Sequence, residues 1–155
     1  MNQVSTRSSH VGVRGEHLFE GYFLNSGLMI ASPRRELHRI DYIVEWKGHL
    51  ARVNVKTLHR RGKRGLNGEF CASLVTTHGK AKRRYREDEL DYFGVVSLEY
   101  GHIWMIPFSA TRSTTLRWHS PHKSHKRRST SFNWEPYLIN GPCTMEQITN
   151  FDKVS

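Results

Sequence analysis

The chain has 155 residues, with 24 Lys and Arg against 14 Asp and Glu, a formal net charge of +10. It is 37% hydrophobic and 11% aromatic, enough for a packed core and too much for a chain disordered throughout. Two cysteines make no disulfide framework, and no apolar run nears the ~20 residues of a spanning helix, so a secreted scaffold and a helical membrane protein are both disfavoured.

Residues 1–9 are polar and read as a frayed start. Over residues 12–26, Leu18, Phe19, Tyr22 and Phe23 recur at helical spacing, and Asn25, Ser26 and Gly27 give a stop signal. Leu28 to Ala31 is a short apolar run, expected as a strand that Pro33 ends. Residues 37–44 and 49–57 read as two strands joined by a two-residue turn at Lys47 and Gly48. Residues 70–77 are expected as a third strand, and the basic-then-acidic stretch 78–91 as irregular or briefly helical. Residues 92–98 and 102–108 are two more strands around Glu99, Tyr100 and Gly101. One helix followed by a meander and further strands predicts a mixed α/β domain. Residues 109–131, rich in Ser, Thr, His, Lys and Arg, read as a loop or arm. Phe132, Trp134, Tyr137 and Leu138 then return as a packable cluster, and Thr144 with Gln147 resembles a capping box for a short final helix. The expected division is a core over residues 1–110 and a basic arm with a small packed segment over 111–155.

The hairpin carries the chemistry. Strand side chains alternate faces, so Arg52, Asn54 and Lys56 point one way while Ala51, Val53 and Val55 enter the core. If Lys47 and Gly48 are the whole turn, Trp46 pairs with His49 and counting outward sets Asp41 opposite Asn54. A carboxylate, an amide oxygen and an ammonium then converge on one patch. Phosphodiester hydrolysis wants such a set: oxygen ligands for a hard divalent cation and a positive group beside the attacked phosphate. Glu16 is a fourth candidate, on the helix face of Phe19 and Phe23. Asp, Asn and Lys in a hairpin are also ordinary surface residues, and spacing alone does not separate the two readings.

The charge balance suits a polyanionic partner, because each neutralised phosphate releases condensed counterions. Arg60, Arg61, Lys63 and Arg64 follow the proposed active strand, and Lys80, Lys82, Arg83, Arg84 and Arg86 form a second cluster. Both flank the strand at 70–77, and both are candidate phosphate contacts to DNA. A third cluster runs from Arg112 and Arg117 to Lys123, Lys126, Arg127 and Arg128. His119, His122 and His125 lie within it at equal spacing, but no cysteine or carboxylate completes a zinc set, so a phosphate grip is the expectation. Trp104 and Trp134 are expected to pack. Residues 1–14 contain no apolar signal core, so the reading is of a soluble, cytoplasmic protein.

Gly15 and Glu16, then Ile40 to Ile43 with Asp41, then Val53-Asn54-Val55-Lys56-Thr57 resemble the PD-(D/E)XK nuclease superfamily. The resemblance is to its small branch of archaeal Holliday-junction resolvases and cyanobacterial-type group I intron homing endonucleases. Tyr85, Glu89 to Phe93 and Ile103 to Pro107 extend it over roughly residues 12–110. It implies a restriction-endonuclease-like core and Mg²⁺-dependent endonucleolytic hydrolysis of DNA, with Mn²⁺ as an alternative ion. Asp41 and Glu16 would hold the metal, Asn54 would complete its shell, and Lys56 would position water. Asn54 stands where the family has Glu, Asp or Gln: it keeps an amide oxygen, one methylene shorter and without charge. The alternatives are an inactive DNA-binding protein on the same fold and a basic RNA- or ribosome-associated protein. A palindromic or branched target would favour a homo-oligomer, dimer or tetramer.

Overall fold

The computed structural model describes residues 4–34, 39–61, 68–78, 81–120 and 132–141. Helix α1 (Val4–Asn25) opens the chain. It begins well before the expected residue 12, because neither Gly nor Pro interrupts the chain between Val4 and Val11; the frayed start expected over residues 1–9 is thereby corrected for residues 4–9, and residues 1–3 lie outside the described residues. Gly27, at φ 69°, ends the helical stretch as the stop signal predicts.

The strands follow in chain order: β1 (Ile30–Ala31), β2 (Tyr42–Trp46), β3 (His49–Thr57), β4 (His59–Arg60), β5 (Glu69–Ser73), β6 (Val75–His78), β7 (Ala81–Arg84), β8 (Tyr92–Ser97), β9 (His102–Pro107), β10 (Thr115–His119) and β11 (Leu138–Asn140). Among the described residues the main sheet runs β1-β2-β3-β8-β9-β11, with β3 and β8 parallel and the other neighbours antiparallel. Strands β10-β5-β4 make a second sheet, and β6 with β7 a two-stranded ribbon. One helix against a mixed sheet is the restriction-endonuclease-like α/β arrangement.

Alternation along β3, β8 and β9 sorts the core into two layers. Ala51, Val53, Val55, Val96, Ile103 and Met105 face α1, where they bury Phe19 and Phe23. Phe93, Val95, Trp104 and Ile106 face the other way, onto Phe70, Ala72, Leu74, Tyr85, Leu116 and Trp118. Gly94 is one contact point of helix and sheet, since a Cβ there would lie 2.5 Å from the Phe19 ring. Trp104 and Trp134 are buried with ring centroids 5.0 Å apart, as their sequence setting predicts.

Three further expectations are corrected. Residues 70–77 are not one strand: Leu74 breaks the run, donating its N–H to Thr114, and β5 and β6 join different sheets. The stretch 78–91 contains strand β7, paired back onto β6, where an irregular or briefly helical segment was expected. The stretch 109–131 contains β10, whose Leu116 and Trp118 alternate into the core. The first and third depend on partners distant in sequence, which local composition does not carry, whereas β7 pairs in a local hairpin whose basic residues lack the apolar alternation that marks a strand. The expected final helix and the segment 121–131 lie outside the described residues. Among the described residues, no helix is long and apolar enough to cross a membrane.

Candidate active site

The β2–β3 turn sets the site. Lys47 and Gly48 both take positive φ, 51° and 78°, as a two-residue hairpin turn requires, and Trp46 pairs with His49. The register holds to Tyr42 opposite Val53. One residue further the ladder bends: Asp41 donates its N–H to the Val53 carbonyl at 2.8 Å, and its Oδ2 accepts the Val55 N–H at 2.6 Å. The Asp41 carboxylate thus sits against the backbone that carries Asn54 and Lys56.

Asn54 is 6% exposed. Its Nδ2 donates to the Arg39 carbonyl at 3.1 Å, while its Oδ1 is buried with no partner among the described residues. Lys56 is half-buried, its Nζ donating to the Val75 carbonyl at 3.4 Å and the Tyr85 hydroxyl at 3.3 Å. Glu16 reaches this end of the sheet from α1. The helix approaches β3 so closely at Gly15 that a Cβ there would lie 1.9 Å from Thr57 Oγ1, which only glycine permits.

These groups feel one another. Burial raises the Glu16 carboxyl above its ordinary range and the Asp41 charge raises it further. Burial also raises Asp41, against the pull of the Val55 N–H and the Lys56 ammonium. Lys56 is lowered by burial, with Asp41 and Glu16 opposing. Burial pushes the Tyr85 hydroxyl up to about 12, so it stays a neutral hydrogen-bonding group beside the lysine. Two mutually repelling carboxylates, an orphaned amide oxygen and a half-buried ammonium are compatible with a hard cation bound among the oxygens. Among the described residues no group of three or more His, Cys, Asp or Glu side chains forms a metal cluster, so Asn54 would have to supply the third oxygen.

A second ring of contacts holds this set. Arg39 Nη1 bonds Glu89 Oε1 at 2.6 Å, and Glu89 also takes Arg83 Nη1 at 2.9 Å and the Arg86 N–H at 2.9 Å. Arg52 grips Asp91 through Nε at 3.0 Å and Nη2 at 2.9 Å, tying β3 to the start of β8. The contacts of Arg39 and Tyr85 to the site have no local sequence signal: one acts through its backbone carbonyl, and the other arrives from 29 residues away.

The proposed DNA contacts divide. Arg60 pairs with Glu99, Arg61 with Glu69 and Arg86 with Asp88, whereas Lys82 and Arg84 are exposed on the ribbon. Lys63, Arg64, Lys80, His122 and His125 lie outside the described residues.

A bacterial homing endonuclease of known structure has a similar fold, with a TM-score of 0.69 over 84% of this chain and 87% of that one, at 15% identity. No curated protein sequence matches. The family described as PD-(D/E)XK endonuclease matches residues 9–135, spanning α1, the hairpin and the strands behind it. On that match the chain belongs to the PD-(D/E)XK endonuclease family.

Proposed function

We propose that the chain is a divalent-metal-dependent endonuclease that hydrolyses DNA phosphodiester bonds at the Glu16, Asp41, Asn54 and Lys56 constellation. The observation that carries this reading is the buried Asn54 Oδ1, an acceptor without a partner among the described residues, on the strand whose Val55 N–H holds the Asp41 carboxylate. An unsatisfied buried acceptor costs about 1–3 kcal/mol, and a bound ion or a catalytic role is one reason a fold keeps one.

Glu16, Asp41 and Asn54 would hold Mg²⁺, or Mn²⁺ in its place. When bound, such an ion lowers the pKa of water and offsets charge on the attacked phosphate. The remaining roles belong to the chain itself. Asp41, anchored through Oδ2 on the Val55 N–H, is held at a fixed place and cannot swing away. Lys56, pinned by Val75 and Tyr85, would hold the attacking water or a phosphate oxygen through its remaining ammonium proton. Burial lowers its pKa, which eases proton movement at Nζ. The basic surface would draw in the polyanion. A palindromic or branched target would be met by a homo-oligomer.

The test is cleavage of supercoiled plasmid with Mg²⁺ or Mn²⁺ and an EDTA control. Wild type nicks DNA only with the metal, and Asp41→Ala and Lys56→Ala each lower the rate 100-fold or more by an order-of-magnitude estimate. Metal-free cleavage, or full activity in both variants, would refute the proposal. The uncharged Asn54 favours a second reading, an inactive DNA-binding protein. Its signature is no cleavage by wild type and a gain in Asn54→Glu or Asn54→Gln.

A further inference from the structure

The register of the β6–β7 ribbon separates its basic residues into two jobs. Thr77 pairs with Lys82 and Val75 with Arg84, so these four share one face, while Thr76 and Arg83 share the other. On the second face Arg83 is spent on Glu89, with Nη1 to Oε2 at 2.9 Å. On the first face Thr77, Lys82 and Arg84 are exposed. Arg84 Nη2 donates to the Arg112 carbonyl at 2.9 Å, an acceptor that leaves its charge uncompensated. Among the described residues neither Lys82 nor Arg84 has a carboxylate within ion-pair distance, unlike Arg60, Arg61, Arg83 and Arg86.

The ribbon is also joined directly to the candidate site. Val75, at its base, accepts from Lys56 Nζ, and Tyr85, the residue after β7, meets the same ammonium. The ribbon that carries the charged face is thus hydrogen-bonded, through the Val75 backbone and through Tyr85 on its other face, to a residue proposed for hydrolysis, which fixes where the ribbon stands beside the site. Two residues apart on a strand, Lys82 and Arg84 are about 7 Å from each other, a spacing that suits neighbouring phosphates on one DNA strand.

We propose that the β6–β7 ribbon docks duplex DNA beside the site through its backbone, with Thr77, Lys82 and Arg84 on the phosphates and Arg83 serving the fold. The proposal rests on the endonuclease reading. Phosphate contacts fix register without reading bases, so the effect is uniform across sequences.

The experiment is binding of a labelled duplex in EDTA, by anisotropy at several salt concentrations, with thermal melts of each variant. Each lost phosphate contact lowers the slope of log K against log salt by about 0.9. Lys82→Ala with Arg84→Ala lowers it by about two, and Lys82→Ala alone by about one, with melting unchanged; Arg83→Ala keeps the wild-type slope. Wild-type slope and affinity in the double variant, with wild type binding well, would overturn the ribbon proposal and leave the endonuclease reading intact. A wild type that neither binds nor cleaves duplex DNA would defeat both.

Discussion

The side-chain amide of Asn54 donates to the Arg39 carbonyl at 3.1 Å, and this one bond decides where its oxygen goes. Flipping the amide would set two oxygens against each other, so Nδ2 belongs at Arg39 and Oδ1 is left buried without a partner. Arg39 is itself fixed through Glu89, so the approach to Asp41 and the orientation of Asn54 are set together.

Asn54→Asp keeps the shape and exchanges the donor for a carboxylate facing the Arg39 carbonyl. In EDTA the variant should be less stable than wild type by about 1–3 kcal/mol. The added charge should raise divalent affinity, so excess Mg²⁺ should lift its melting temperature more than that of wild type. Thermal melts with EDTA and with Mg²⁺ check both halves; equal stability in EDTA would show that the amide donor is dispensable.

Gly15→Ala places a methyl 1.9 Å from Thr57 Oγ1 and must push α1 off β3. The expected cost is about 1–3 kcal/mol by chemical denaturation, with a loss of cleavage because Glu16 moves with the helix. Thr57→Ala in the same chain removes the colliding hydroxyl and should restore part of both. No rescue would mean that the helix contact lies elsewhere.

His102 makes stability depend on pH. Its ring is buried against Trp104 and Trp118, with neither nitrogen hydrogen-bonded among the described residues, and burial lowers its pKa below the ordinary 6.5. The folded state then disfavours the charged ring. Stability is fully present above the unfolded pKa of ~6.5 and falls as pH drops below it, because the unfolded chain takes up the proton. His102→Leu should flatten denaturation free energy between about pH 6.5 and 5. An unchanged slope in that variant would assign the effect to other groups.

The hairpin was legible because its information is local. A Lys-Gly turn and alternating side chains dictate Trp46 opposite His49, and by counting they bring Asp41 to Asn54. The final step differs in detail, since the ladder ends at Tyr42 and Asp41 meets Val55 through its side chain. Glu16 came from its helix face and family resemblance, and Gly15 explains physically how that helix gets close enough. Tyr85, Arg39 and Glu89 were not legible as parts of the site: their contacts cross long stretches of chain, and Arg39 acts through a backbone carbonyl that any residue possesses. The break at Leu74 is hidden for the same reason, because the carbonyl that takes its N–H lies 40 residues on, at Thr114.

The central claim is that Glu16, Asp41 and the free oxygen of Asn54 form one divalent-cation site, and calorimetric titration with Mn²⁺ in the absence of DNA tests it most directly. The account predicts one ion bound per chain, binding lost in Asp41→Ala, and affinity lowered about tenfold or more in Asn54→Ala. Lys56→Met should leave affinity unchanged or raise it, since a neighbouring positive charge is removed. Wild-type binding in both Asp41→Ala and Asn54→Ala, or no binding by wild type, would contradict it.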